Sequence, residues 1–128
     1  MKKSTIPFTI THLENGYTRE HGLLHILQES VRIEFEQTDP ATGLPLSGVR
    51  EIDVPFGQVE TLSIKKGWFS AQVVFETKSL KTLEGLPGAQ QGRCILKVKR
   101  SDVKEAEKTV SSARLRLSEF RLNSIDDD

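Results

Sequence analysis

The chain has one cysteine, one tryptophan and one tyrosine in 128 residues. With Cys94 alone, no internal disulfide can form. An excess of either charge is missing too, since Lys plus Arg and Asp plus Glu both come to 18. Such a chain lacks the long-range field that draws proteins to phosphate backbones, so nucleic acid is not an expected partner. No apolar run approaches the ~20 residues needed to cross a bilayer. Residues 1–5 carry positive charge without an apolar segment after them, so no signal peptide is expected and the cytoplasm is the expected compartment. Gly85-Leu86-Pro87-Gly88 lacks the lysine and serine of a phosphate-binding loop. No serine sits in a nucleophile-elbow context. Internal repeats and low-complexity segments are also missing. These absences leave no catalytic set and no expected cofactor.

The composition that remains, 28% charged and 36% hydrophobic, is that of a soluble globular protein. The length fits a single domain, residues 1–128, able to bury one core without disulfides or metals. Most of the chain alternates with a period of two. Ile6, Phe8 and Ile10 alternate with Pro7, Thr9 and Thr11, and Val31, Ile33 and Phe35 with Arg32, Glu34 and Glu36. In the second run a one-residue slip would expose three large apolar groups, so its register is well determined. Further strands are expected at 22–27, 50–54, 59–65, 68–77 and 93–100, making seven in antiparallel order. Glu14-Asn15-Gly16 is a turn signal, and residues 38–48, with Pro40, Gly43, Pro45 and Gly48, read as a loop. Lys66-Gly67 reads as a tight turn with Gly67 at positive φ.

Residues 79–92 form a long connection in which Leu80, Leu83 and Leu86 recur every three residues, a structural lid expected to plug one end of the core. One amphipathic helix then runs over residues 101–120. Ser101 or Asp102 supplies its N-cap, with Glu105 at capping-box spacing from Asp102. Val103, Ala106, Val110, Ala113, Leu117 and Phe120 form its apolar stripe. Residues 123–128, which end in three aspartates, are expected to fray. A helix with one apolar stripe must bury it on the sheet or across a barrel mouth.

The run Asp53-Val54-Pro55-Phe56-Gly57-Gln58-Val59-Glu60-Thr61-Leu62-Ser63-Ile64-Lys65-Lys66-Gly67-Trp68-Phe69 resembles the bacterial pleckstrin-homology-like (PH-like) domains. That family has an apolar-Pro-apolar step, a strand, a Lys/Arg-Gly turn and a Phe-led strand. The strand at 92–100 and the helix from Ser101 fall where the family places its last strand and helix. The resemblance covers residues 22–120. It implies a mainly β fold: a PH-like barrel of seven antiparallel strands in two strongly bent sheets, capped by one C-terminal α-helix. Eukaryotic members often bind phosphoinositides through lysines and arginines around the loop joining the first two strands. Here that loop is expected near Gln28-Glu29-Ser30, followed by one Arg32, so the basic cluster is missing and lipid binding is disfavoured.

Of the chemistry-bearing residues, His12, His21 and His25 lie near Glu14 and Glu20. On a strand, His21 and His25 sit roughly 13 Å apart, too far to share one ion, so no metal site is expected. Glu34 with Glu36, and Glu51 with Asp53, read as solvated outward residues and not as acid–base partners. Cys94 shares a face with Leu96 and Val98 and reads as a buried, inert thiol. The surface feature that stands out is Lys65-Lys66-Gly67-Trp68. Phe69 fits the inward phase of Ala71, Val73 and Phe75, which leaves Trp68 as the outward ring. The plainer alternative is that an aromatic packs inward while the lysines merely solvate the turn. The expectation is therefore a non-enzymatic module for protein–protein contact or self-association, using open sheet edges as templates for a second chain. The alternative is lipid-headgroup or membrane binding through Lys65, Lys66 and Trp68. A weaker third is an apolar-ligand carrier using the barrel interior, which a domain this short fills with side chains instead.

Overall fold

The computed structural model describes residues 4–12, 18–39, 41–42, 44 and 48–126. The turn signal at Glu14-Asn15-Gly16, most of the loop signals between 40 and 47, and the His12 side chain lie outside the described residues. Among the described residues seven strands precede one long helix: β1 (Thr5–His12), β2 (Thr18–Ile26), β3 (Ser30–Thr38), β4 (Arg50–Pro55), β5 (Val59–Lys66), β6 (Ser70–Thr77), β7 (Arg93–Lys99) and α1 (Val103–Asp126). They form one antiparallel sheet in the order β4-β3-β2-β1-β7-β6-β5. The sheet is not closed: β4 and β5 are its two edges. β1–β4 make one meander and β5–β7 another, joined by a single ladder pair, Thr9 opposite Lys97. Pro7, two residues before that pair, has no N–H to offer a ladder.

The alternation read from the sequence is what the core uses. Ile6, Phe8 and Ile10 of β1, Val31, Ile33 and Phe35 of β3, and Cys94, Leu96 and Val98 of β7 all point inward and are buried. In β5 the phase breaks, because a bulge between Val59 and Thr61 puts Val59 and Leu62, three apart, on the buried side. β2 starts four residues before the expected run and carries a buried carboxylate, Glu20, toward the core. A buried acid in a strand does not follow from alternation alone.

At β2 the backbones crowd. Gly22 stands between Phe8 of β1 and Phe35 of β3. A Cβ there would meet the Glu34 carbonyl oxygen and come 2.5 Å from Cζ of Phe8. Only a residue without a side chain permits that approach, which lets the Phe8 ring lie over the strand.

α1 is longer than the sequence suggests. Residues 123–126, expected to fray, are helical, and residues 127–128 lie outside the described ones. Ser101 and Asp102, the expected caps, belong to a 3-10 turn (Arg100–Asp102) that leads into the helix. Ala106, Thr109, Val110, Ala113 and Leu117 are buried, with Val103 and Phe120 packed at the margins of the core. The two alanines bring the helix close to the sheet. α1 runs antiparallel to β5 and is fastened at both ends. Arg121 Nη2 donates to the Val59 and Glu60 carbonyls at 3.0 and 3.1 Å, and Lys66 Nζ lies 3.3 Å from Glu107 Oε1. Edge β5 is thus dressed by the helix. Edge β4 carries Glu51 and Asp53, both near Arg32, and ends in Pro55. Charge and proline at an edge discourage strand addition, so neither edge offers the bare template expected above.

The connection between β6 and β7 is a series of turns. Leu83 and Leu86 are 1% and 2% exposed, as a lid requires. Leu80, expected to join them, is 66% exposed, because the chain turns at Ser79 and carries it outward. The connection ends in a two-residue hairpin in which Gln90 and Arg93 exchange both backbone bonds. Gln91 and Gly92 there have φ of 53° and 73°, the sign pattern of a type I′ turn. Gln is not a turn-signature residue, so the sequence does not announce this turn.

Cys94 is buried as expected, and burial pushes its thiol up to about 12 from an ordinary 9.0. The folded state thus holds the proton more tightly than the unfolded chain. The corresponding stability is intact below pH ~9 and is lost as pH rises from ~9 toward ~12, at up to ~1.4 kcal/mol per pH unit. Urea midpoints measured across that window should fall more steeply for wild type than for Cys94→Ala. Parallel profiles would show that the thiol is not held out of water.

Candidate functional site

The β5–β6 hairpin is where the chain leaves the core. Its ladder ends at Lys66 opposite Ala71. One further bond closes it, with Gly67 N–H donating to the Ser70 carbonyl at 2.7 Å. Trp68 and Phe69 are therefore the two apex residues, beyond the last strand pair, with nothing on either side to roof them. They are 92% and 79% exposed. The assignment of Phe69 to the inner face is thus corrected: β6 begins at Ser70, and alternation applies only once a residue is in the ladder. Gly67 does not have positive φ; among the described glycines that conformation belongs to Gly88 and Gly92. A Cβ at Gly67 would sit 3.1 Å from the Ser70 carbonyl oxygen, so the tightness of the turn is what favours glycine.

The two lysines beside the apex do different things. Lys65 points outward in the row Lys65–Gln72–Lys97 and is exposed. Lys66 lies on the opposite phase and reaches Glu107 on α1. Exposed Lys99, opposite Ser70, adds a second outward cation near the apex. Trp68, Lys65 and Lys66 are brought together as expected, but Lys66 is already engaged within its own chain.

A second feature lies at the far end of α1. A groove of about 660 Å³ opens between the β2–β3 turn and the helix, lined by Glu29, Phe56, Arg116, Glu119 and Phe120 among others. The Phe56 and Phe120 rings meet edge to face, centroids 6.0 Å apart at 79°. Phe56 N–H donates to the Glu29 carbonyl at 3.0 Å, and Arg116 Nη1 to the Leu27 carbonyl at 3.2 Å. These contacts tie the helix to the β2–β3 turn and fix the groove's floor. No sequence signal marks it, because its residues are drawn from three separate segments. The turn itself, residues 27–30, joins the second and third strands. The connection between β1 and β2, residues 13–17, lies outside the described residues.

A smaller hollow of about 300 Å³ sits at the β1–β7 join, lined by residues that include Thr9, His21, Lys97, Lys99 and Asp102. His25 is occupied elsewhere: its Nδ1 lies 3.1 Å from Thr5 Oγ1 and its Nε2 3.5 Å from Glu34. Arg32 donates from Nε to Asp53 Oδ1 at 2.7 Å; that bond and the carboxylate's charge raise the guanidinium pKa further. Among the described residues no three His, Cys, Asp or Glu side chains come together as a metal cluster, and no helix is long and apolar enough to cross a membrane.

The chain matches no family model, no curated protein and no solved structure.

Proposed function

We propose that the chain is a non-enzymatic interaction module with PH-like architecture, working in the cytoplasm by protein–protein contact or self-association, with the Trp68–Phe69 apex as its point of contact. On this reading the single seven-stranded sheet, in which the Thr9–Lys97 pair joins a four-strand to a three-strand meander, is taken as a strongly bent, barrel-like arrangement with α1 as its stopper. A lone buried thiol suits a reducing compartment. The observation that carries the reading is the exposure of two adjacent large aromatic rings, 92% and 79%, on a hydrogen-bonded hairpin. Exposed apolar groups set together mark interaction sites, and tryptophan is the residue most enriched in binding hot spots. The test is capture from the source cell's lysate by immobilised wild type and by Trp68→Ala/Phe69→Ala. The expected result is a set of proteins held by wild type and lost with the variant, whose unfolding free energy in urea stays within ~0.5 kcal/mol of wild type because the rings touch no core. Identical capture would contradict the apex as contact point.

A second reading, lipid-headgroup or membrane binding through Lys65, Lys66 and Trp68, is favoured by one observation: Lys65 and Lys99 point outward beside exposed rings. The Lys66–Glu107 pair weakens it, since that cation is partly spoken for. Lys65→Glu is the clean probe. Lys66→Glu would also set a carboxylate on β5 against Glu107 on α1. Sedimentation with phosphatidylserine vesicles that is absent, or unchanged by Lys65→Glu, ends this reading.

A further inference from the structure

We infer that the partner is a second copy of this chain: the Trp68–Phe69 apex of one molecule docks into the groove between the β2–β3 turn and the C-terminal half of α1 of the next. The inference rests on the apex being the contact point and names what it contacts.

The two surfaces match in chemistry. The apex offers two exposed rings with the outward Lys65 beside them. The groove offers the half-buried Phe120 ring, backed edge to face by Phe56, and the exposed carboxylates Glu29 and Glu119. Its one cation, Arg116, donates to the Leu27 carbonyl. Aromatic apex thus meets aromatic floor, and lysine meets glutamate at the rim. Rim charges of this kind set orientation and encounter rate more than affinity.

Neither surface can satisfy itself within one molecule. Lys66, next to the apex, contacts Glu107, whereas the groove is at Glu119, twelve residues or about 18 Å further along the same helix. Because apex and groove are different surfaces at opposite ends of α1, the contact is heterologous, and repeating it builds a head-to-tail chain. Two aromatic rings bury about 150–250 Å² each. That is about half of the ~800 Å² per partner in a standard interface. The contact is therefore weak and reversible, and assembly is concentration-dependent.

Sedimentation velocity over a concentration series tests this, with urea midpoints as the folding control for every variant. Wild type should grow in mass as concentration rises. Trp68→Ala/Phe69→Ala, which lacks the apex, and Glu29→Lys/Glu119→Lys, which sets lysines in the groove against Lys65 of the apex, should each associate about tenfold or more weakly than wild type and stay monomeric where wild type begins to assemble. Mixing the two variants should produce a heterodimer that grows no further, because each supplies the one surface the other lacks. Wild type that is monomeric at every concentration, assembly indifferent to the apex variant, or a mixture that stays monomeric would each overturn the inference. A monomeric wild type that still loses a captured protein, or phosphatidylserine vesicles, on losing Trp68 would refute the second copy as partner while leaving the apex as contact point.

Discussion

Gly22→Ala should destabilise the fold by about 3 kcal/mol or more, lowering the melting temperature by roughly 10 °C. The added methyl group meets two obstacles of different kinds. One is the Glu34 carbonyl oxygen, which belongs to the β3 backbone and cannot swing aside. The other is the Phe8 ring, with Cζ 2.5 Å from the Cβ position and its own burial at 3% exposure. Relief requires either parting β2 from β3 or pushing a buried ring out of a filled core. Adding Phe8→Leu should recover only the part due to the ring, since the carbonyl stays where it was. Gly85→Ala is the control: its Cβ would meet Ile52 Cδ1 at 3.8 Å, an ordinary contact. Its effect should lie within ~0.5 kcal/mol. Equal midpoints for Gly22→Ala and wild type in urea would mean that β2 and β3 do not approach as closely as described.

Leu83→Ala should cost about 2–5 kcal/mol, a large share of the ~5–15 kcal/mol that holds a domain together. Leu83 is 1% exposed and belongs to the same core cluster as the strands and α1. Truncating it removes apolar contact and leaves a void that the neighbouring turns close only in part. Leu80→Ala, three residues earlier, should change stability by less than ~0.5 kcal/mol, because that side chain is 66% exposed. The pair isolates burial from composition: same residue type, same connection, opposite outcome. Equal urea midpoints for the two variants would remove the case for this connection as part of the core.

What the sequence made legible was whatever a period could carry. Val31, Ile33 and Phe35, or Cys94, Leu96 and Val98, announce one face of a strand, and the structure buries each of them. The α1 stripe from Ala106 to Leu117 is legible for the same reason at the helical period. Periodicity fails where the chain leaves a regular element. Phe69 lies one residue outside β6 and so escapes the phase that would have turned it inward. Leu80 shares a three-residue spacing with Leu83 and Leu86, but a series of turns does not keep a face as a helix does. The bulge in β5 and the Gln91–Gly92 turn depend on backbone angles that side-chain pattern does not encode.

The candidate site divides the same way. Lys65, Lys66 and Trp68 are neighbours in sequence, and a hairpin keeps such neighbours together, so their grouping could be read directly. That Lys66 is engaged by Glu107 could not, because the partner lies 41 positions away on α1. The groove is hidden from sequence for the same reason: Glu29, Phe56 and Glu119 meet only because the helix lies back across the end of the sheet.

The apex can serve as a contact point only if its rings stand free of the core, and the chain's single tryptophan reports this without a label. Acrylamide quenching of Trp68 emission in dilute native protein is the direct measurement. Quenching should be as efficient as in the urea-unfolded chain, with an emission maximum that differs little between the two. A blue-shifted, protected Trp68 in the dilute native state would contradict it.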